Sequence, residues 1–360
     1  MRVIIVGAGL GGLTLAHGLR TAGIEVVVYE RDGARGRTQG VSLHMDERGT
    51  TALRECLPPP HFAMAQATMG PPRDRTVLLS EGLAVVGTRV ADSVMARPGR
   101  QTSRRLLRAV LLTGLDDAVR FEAAFLRYEL RADDVQAWFA DGSVETADVL
   151  VGADGVGSAV RRQFLPHVQV IDTGRRMLMG ATPVRAVAHT GLLELIGDNA
   201  ASVQADGMMM ALGPHRFLEP PLVARDRWLP AVPAAALADA EDYLMWCMPT
   251  TGQNVDARDL AAGLHPTLRN VVDQAWPQLT VPLRIGVIPP MAAWPTHPVT
   301  VIGDAIHVAP GFGGNLAMQD ARRLRDALVR ADRGELSLLD AIGSYEERMR
   351  QDNYVSERTA

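Results

Sequence analysis

Short β-branched runs alternate with amphipathic stretches along the N-terminal part of this chain. Arg2–Val6 is an apolar run of the kind that forms a buried strand. Gly11–Ala22 places Leu13, Ala16 and Leu19 on one helical face and is closed by Gly23. Glu25–Tyr29 reads as a second strand, so the three segments make a βαβ unit, and right-handed crossover makes its strands parallel. Asp46 is placed to cap a helix running through Cys56, which Pro58–Pro60 stops. Another helix is predicted over Ser103–Leu115. A meander follows, with strands at Phe121–Leu130, Val135–Phe139 and Ser143–Ala153, the last two joined through an Asp141-Gly142 turn.

The texture changes from about Ile171 to Pro290. Met177–Pro183, Met208–Leu212, Tyr243–Met248 and Val281–Val287 are strand-like runs separated by Pro- and Ala-rich stretches. They predict an antiparallel or mixed sheet with irregular connections. Val299–Ile302 is again a buried strand and Leu316–Ala331 a helix. This return suggests that an N-terminal cofactor domain is interrupted and later resumed.

Composition narrows the field. A length of 360 residues with 47% hydrophobic content allows large cores and roughly two domains. The net charge of −4 leaves no electrostatic footprint for nucleic acid, and no apolar run is long enough to span a bilayer. No leader pattern precedes the first strand, which makes the cytoplasm the expected location. Cys56 and Cys247 form neither a disulfide framework nor a metal cluster, so no metal is expected. All 37 basic residues are arginine, which removes mechanisms that depend on a catalytic lysine.

The first chemical motif is Gly7-Ala8-Gly9-Leu10-Gly11-Gly12 between the first strand and helix. Gly7, Gly9 and Gly12 match the dinucleotide fingerprint, whose helix N-terminus accepts a diphosphate. Glu30 ends the second strand about 20 residues on, where a carboxylate takes ribose hydroxyls, with Arg31 beside it. This pattern fits either FAD or NAD.

Two later motifs separate them. Leu150-Val151-Gly152-Ala153-Asp154-Gly155-Val156-Gly157-Ser158 is one. Gly303-Asp304-Ala305-Ile306-His307, followed by Pro310, Gly311–Asn315 and Gln319-Asp320-Ala321, is the other. With them, nearly the whole chain resembles the class A flavoprotein monooxygenases of the para-hydroxybenzoate hydroxylase fold, among whose smaller members are the tetracycline-inactivating enzymes. The resemblance implies an α/β fold: a Rossmann-type, GR2-like FAD-binding domain carrying an inserted mixed or antiparallel-sheet substrate domain. Residues 1–70, 98–170 and 290–345 are assigned to the former, 71–97 and 171–289 to the latter, and 346–360 to a C-terminal helix or tail.

The same resemblance implies that Asp304, Pro310, Gly314, Asn315 and Leu316 hold FAD. It implies that Asp154 and Gly155 serve both FAD and the passage of a transient reductant, NADH or NADPH. Arg104 and Arg108 match the arginine at the start of the family's cofactor-facing helix. Arg37 and Gly40 match its loop near the ribose and ring. Pro310 reaches Asn315 about three residues sooner than in the family pattern, so the ring-facing loop is expected to be tighter or differently routed. His307 reads as structural. His44, after the flavin loop, is the one side chain proposed for catalysis. Met208, Met210, Phe217 and Trp246 are candidates for an adaptable apolar substrate pocket.

The activity implied is insertion of one oxygen atom from O2 into an apolar aromatic or polyketide-like molecule, as in secondary metabolism. An FAD-dependent dehydrogenase or oxidase, and a non-redox cyclase or binding protein that retains FAD, stand as alternatives. A flavin halogenase is disfavoured because its lysine is missing and Met245-Trp246-Cys247-Met248-Pro249 matches its tryptophan motif only in part. A monomer and a homodimer are equally compatible with the sequence.

Overall fold

Val3–Val6 are all buried, as expected of a central parallel strand covered on both faces. The computed structural model describes residues 1–34, 40–91, 97–205, 208–237, 240–252, 255–308 and 313–357. In chain order, β1 (Arg2–Val6), α1 (Leu10–Thr21) and β2 (Glu25–Tyr29) form the βαβ unit. Then come β3 (Ser42–Asp46), α2 (Glu47–Cys56), α3 (Pro59–Ala67), β4 (Met69–Arg73), β5 (Arg75–Leu79), β6 (Val85–Val90) and β7 (Gly99–Ser103). These lead to α4 (Arg104–Leu112), β8 (Val119–Arg120), β9 (Phe125–Leu130), β10 (Val135–Phe139), β11 (Val144–Ala147), β12 (Val149–Gly152) and α5 (Ala159–Phe164).

The middle of the chain supplies β13 (Ile171–Pro183), α6 (Val184–Val187), α7 (Leu192–Ile196), β14 (Ala200–Ala205) and β15 (Met208–His215). It continues with α8 (Pro221–Trp228), β16 (Tyr243–Thr250), α9 (Ala257–Ala261), α10 (Pro266–Asp273) and β17 (Val281–Val287). The chain closes with β18 (Val299–Val301), α11 (Gly313–Asp332) and α12 (Leu338–Glu357).

Among the described residues these strands form four sheets. The parallel one has the order β18-β12-β1-β2-β8. A seven-stranded sheet has the order β17-β13-β16-β15-β14-β5-β6 and is antiparallel except where β14 runs parallel to β5. The small sheets are β11-β10-β9 and β3-β7-β4. No helix among the described residues is long and apolar enough to cross a membrane.

Two elements differ from the sequence expectation. Ser143–Ala153 is two strands, because the chain changes sheet at Asp148. That residue's N–H donates to Arg2 O at 3.0 Å and its Oδ2 accepts from Arg2 N at 2.6 Å, so β12 joins β1 and not the meander. The C-terminal helix begins at Leu338, eight residues before the expected 346. Ser337 and Asp340 exchange hydrogen bonds in its first turn, a start signal of the capping type.

Strand parity divides the seven-stranded sheet into two faces. Leu178, Met210, Leu212, Leu244, Trp246 and Met248 lie in one core, packed with Val187, Leu192, Leu193, Leu268 and Val271 of α6, α7 and α10. Ala181 and Tyr243 belong to a separate small cluster with Val41, flanked by Met179, Met245, Trp276 and Leu279. This second face turns toward the parallel-sheet half of the molecule and forms one end of its large cavity.

Candidate cofactor and substrate cavity

The turn between β1 and α1 is built on close backbone approach. A Cβ on Gly12 would stand 2.1 Å from Gly7 O, whereas nothing lies within 4 Å of a Cβ on Gly9. Gly12 is therefore needed for packing. Gly9 leaves its backbone open to the cavity, where a diphosphate would approach. Capping side chains do not occupy this helix start: Gly9 is the N-cap, and no side chain hydrogen-bonds there. Its N–H groups are thus presented to the cavity with the positive end of the helix dipole.

Glu30 joins the end of β2 to this turn. Its Oε2 accepts from Ala8 N at 2.8 Å and its Oε1 accepts from Asp32 N at 2.9 Å. Each carboxylate oxygen retains further acceptor capacity. Arg108, on α4, donates from Nε to Ala8 O at 3.1 Å and from Nη1 to Ala34 O at 2.9 Å. Burial lowers its pKa, opposed by Glu30 and Asp32. Arg108 thus clamps the two loops that flank the carboxylate.

The two later motifs meet at the same cavity. Asp154 Oδ2 accepts from Ala159 N at 2.7 Å and Val160 N at 3.3 Å, while Oδ1 is buried without a hydrogen-bond partner among the described residues. Arg161 bridges the motifs, donating to Val156 O at 2.9 Å and Ala305 O at 2.8 Å. Asp304 is pushed up in pKa by burial, opposed by His307 and by Arg104. Burial lowers the pKa of Arg104, with Asp304 opposing.

Gly7, Gly9, Leu10, Gly11, Gly12, Glu30, Arg31, Gly40, Arg104, Arg108, Asp154, Gly155, Gly303, Asp304 and Gly314 all line one cavity of about 1130 Å³. Small-molecule sites usually occupy about 300–1,000 Å³, so the space suits a long cofactor with room beyond it. Arg37 and Pro310 lie outside the described residues, as do the neighbouring residues 309–312.

Asn315, Leu316 and His44 lie away from the cavity, whereas His307 is structural, as expected. Asn315 is buried: its Oδ1 accepts from Asp46 N at 3.0 Å and its Nδ2 donates to His44 O at 2.7 Å. It fastens α11 to the junction of β3 and α2. Leu316 is buried and does not line the cavity. His44 turns away too, with Nε2 2.8 Å from Arg97 O, and burial lowers its pKa against that hydrogen bond. His307 pairs with Asp320, which also accepts from Gly303 N at 2.9 Å. Burial opposes protonation of His307, but Asp320, together with Asp304, outweighs it and raises the pKa. This pair braces the Gly303-Asp304 turn.

Of the four substrate candidates, only Phe217 lines the cavity. Met210 and Trp246 are fully buried in the core on the far face of the seven-stranded sheet, and Met208 packs against that core. The pleat explains the correction: Leu212 pairs with Trp246 on one face, whereas His215 pairs with Tyr243 on the other. Tyr243, Trp276, Leu279 and Val41 form the apolar end of the cavity.

The family described as FAD binding domain matches residues 1–216 of the 360. The dual O-methyltransferase/FAD-dependent monooxygenase elcB of Phaeosphaeria nodorum is 28% identical, over 89% of this chain and 39% of that protein. The FAD-dependent monooxygenase thnD of Trichoderma harzianum is 29% identical, over 92% of this chain and 84% of its own. The chain spans about two fifths of the length of the dual-function relatives, 39% for elcB and 44% for CTB3 of Cercospora beticola. In structure, a candidate FAD-containing monooxygenase from Photorhabdus luminescens superposes with TM-score 0.82 and 29% identity, covering 100% of this chain and 97% of the other.

Proposed function

This chain belongs to the FAD-binding-domain family of class A flavoprotein monooxygenases, and we propose that it inserts one atom of O2 into an apolar aromatic or polyketide-like molecule, using FAD and NADH or NADPH. The observation that carries this reading is the convergence of three separate sequence motifs on one cavity with an apolar end beyond them.

The residues present fit FAD. The open backbone at Gly9 and the start of α1 suit the diphosphate, and Glu30 suits the ribose hydroxyls. Asp304 suits a hydroxyl of the ribityl chain. The N-terminal turn of α11, with Gly313 and Gly314 on the cavity, brings positive dipole to the place where an electron-rich ring edge would sit. The buried, unpartnered Asp154 Oδ1 is an acceptor awaiting a donor. Bound there, FAD would supply hydride acceptance and oxygen activation. The protein's part is to orient and exclude water: Val41, Tyr243, Trp276 and Leu279 wall the apolar end.

The test is the visible spectrum of the purified protein, followed by NADH and NADPH oxidation with and without planar apolar compounds. The reading predicts a flavin spectrum and oxidation that at least one compound accelerates. A colourless protein that takes up no FAD contradicts it.

A further inference from the structure

Two buried imidazoles lie behind the stretch of cavity wall that follows α4, and the proposed chemistry makes no use of them. His17 on α1 and His61 on α3 are 4% and 9% exposed, with ring centroids 4.8 Å apart. His17 Nε2 stands 2.8 Å from Leu111 O, and His61 Nε2 stands 2.8 Å from Thr113 O. A carbonyl only accepts, so both rings carry a proton on Nε2 and donate it to the end of α4, where Thr113 is the C-cap. His61 Nδ1 is buried with no hydrogen-bond partner among the described residues. Neither ring lines the cavity, but the turn they hold does: Leu112, Thr113, Gly114, Leu115 and Asp116 are all part of its wall. Gly114 takes a left-handed φ of 78° there, and an added Cβ would stand 3.7 Å from His61 Nε2.

The surroundings favour neutral rings. Burial lowers His17 to about 4, opposed by the Leu111 hydrogen bond and helped by His61 and Arg20. Burial lowers His61 too, opposed by the Thr113 hydrogen bond. None of α1, α3 and α4 carries a carboxylate to offset an imidazolium. Arg20 on α1 is paired at 2.6 Å with Asp117, just past the same turn. The arginines of α4 stand in its first two turns. On α2, Arg54 pairs with Glu47, Glu55 pairs with Arg322, and burial raises the Cys56 thiol to about 12, so it stays uncharged. On α11, Arg325 reaches Gly18 and is paired with Asp326. On α8, which packs on α3, Arg225 pairs with Asp226 and Arg227 with Glu219. One imidazolium here is therefore uncompensated, and two would repel where little water screens them.

We propose that His17 and His61 are positioning residues for FAD: as neutral rings they hold the Thr113–Gly114 turn in place as cavity wall, and on protonation they release it, so that the protein loosens its cofactor in acid. This rests on the preceding reading that FAD occupies the cavity. Rings kept neutral while the turn is closed regain the ordinary histidine affinity for protons when it opens. Tight binding is thus complete above the ordinary histidine value of about 6.5 and is lost as pH falls toward 4.

The test is the FAD dissociation constant of the full chain, measured by equilibrium dialysis at pH 7.5 and at pH 5. It should be about tenfold or more higher at pH 5. In His17→Gln and in His61→Gln the amide still donates to the same carbonyl but does not titrate, so that ratio should shrink, and it should shrink further in the double variant. A ratio near one in the parent overturns the proposal, as does an undiminished ratio in a folded double variant. Where the variants do not fold, hydrogen exchange of the FAD-free parent decides. After correction for the intrinsic pH dependence of exchange, the Thr113 and Leu115 amides should lose protection at pH 5 relative to those of β1, and equal protection at both pH values overturns the proposal. A chain that takes up no FAD at pH 7.5 would instead overturn the earlier reading.

Discussion

Glu30 and Ala8 are joined by a 2.8 Å hydrogen bond from the Ala8 N–H to the carboxylate, which fixes the end of β2 against the glycine turn. The residue placed to bind ribose is also the one that shapes the diphosphate turn. Glu30→Ala removes both contributions and should weaken FAD retention by about tenfold or more, as expected for loss of a hydrogen bond to a charged group. Equilibrium dialysis of FAD checks this, and Glu30→Gln should fall between the two.

Asn315 is predicted to act on stability and not on the ring. Its amide satisfies one buried N–H and one carbonyl across the contact of α11 with β3. Asn315→Leu should cost roughly 2–4 kcal/mol in denaturant unfolding. Its effect on NAD(P)H oxidation by the folded holoprotein should be small.

Trp246 fills the space that Gly180 leaves on the neighbouring strand, where an added Cβ would stand 2.2 Å from its ring. Trp246→Ala should therefore destabilise by about 3–5 kcal/mol. Substitutions at Tyr243 or Trp276, on the cavity side, should instead change which compounds stimulate turnover. A shift in substrate preference from a folded Trp246 variant would contradict this division.

Two buried groups give the pH dependence of stability opposite signs. Burial lowers His17 to about 4. A depressed folded-state pKa gives stability that is complete above the ordinary histidine value and is lost as pH falls toward 4. The slope in that window is about 1.4 kcal/mol per pH unit for one group. Glu346 behaves oppositely: burial raises it to about 7, so stability declines as pH rises from the ordinary glutamate value toward 7. Glu346→Gln keeps an acceptor for Thr300 Oγ1 and removes that charge. It should stabilise the protein at pH 8 by about 1–3 kcal/mol, measured as the unfolding midpoint, with little gain at pH 5.

Local chemistry was legible in the sequence where one short segment carries the whole message. The glycine turn and Glu30 are read from their spacing, the Asp154 and Asp304 motifs from the family resemblance they carry, and all of them border the cavity. What was hidden depends on long-range pairing. β4 contains Pro71 and Pro72, which argue against a strand, yet it is an edge strand where a missing donor is tolerated. His44 and Asn315 sit within motif-like surroundings, but the His44 ring is taken up by Arg97 O just before β7, and the Asn315 amide by the meeting of α11 with β3. Trp246 was on the right strand and the wrong face, because alternation has no sign until the sheet's neighbours are known, and β15, which carries Met210, contributes no residue to the cavity lining.

The most direct measurement is turnover of FAD-loaded protein with NAD(P)H under isotopically heavy dioxygen, using a compound that accelerates NAD(P)H oxidation. The account predicts one heavy oxygen atom in each product molecule. Product free of the label, with dioxygen reduced only to hydrogen peroxide, would contradict it.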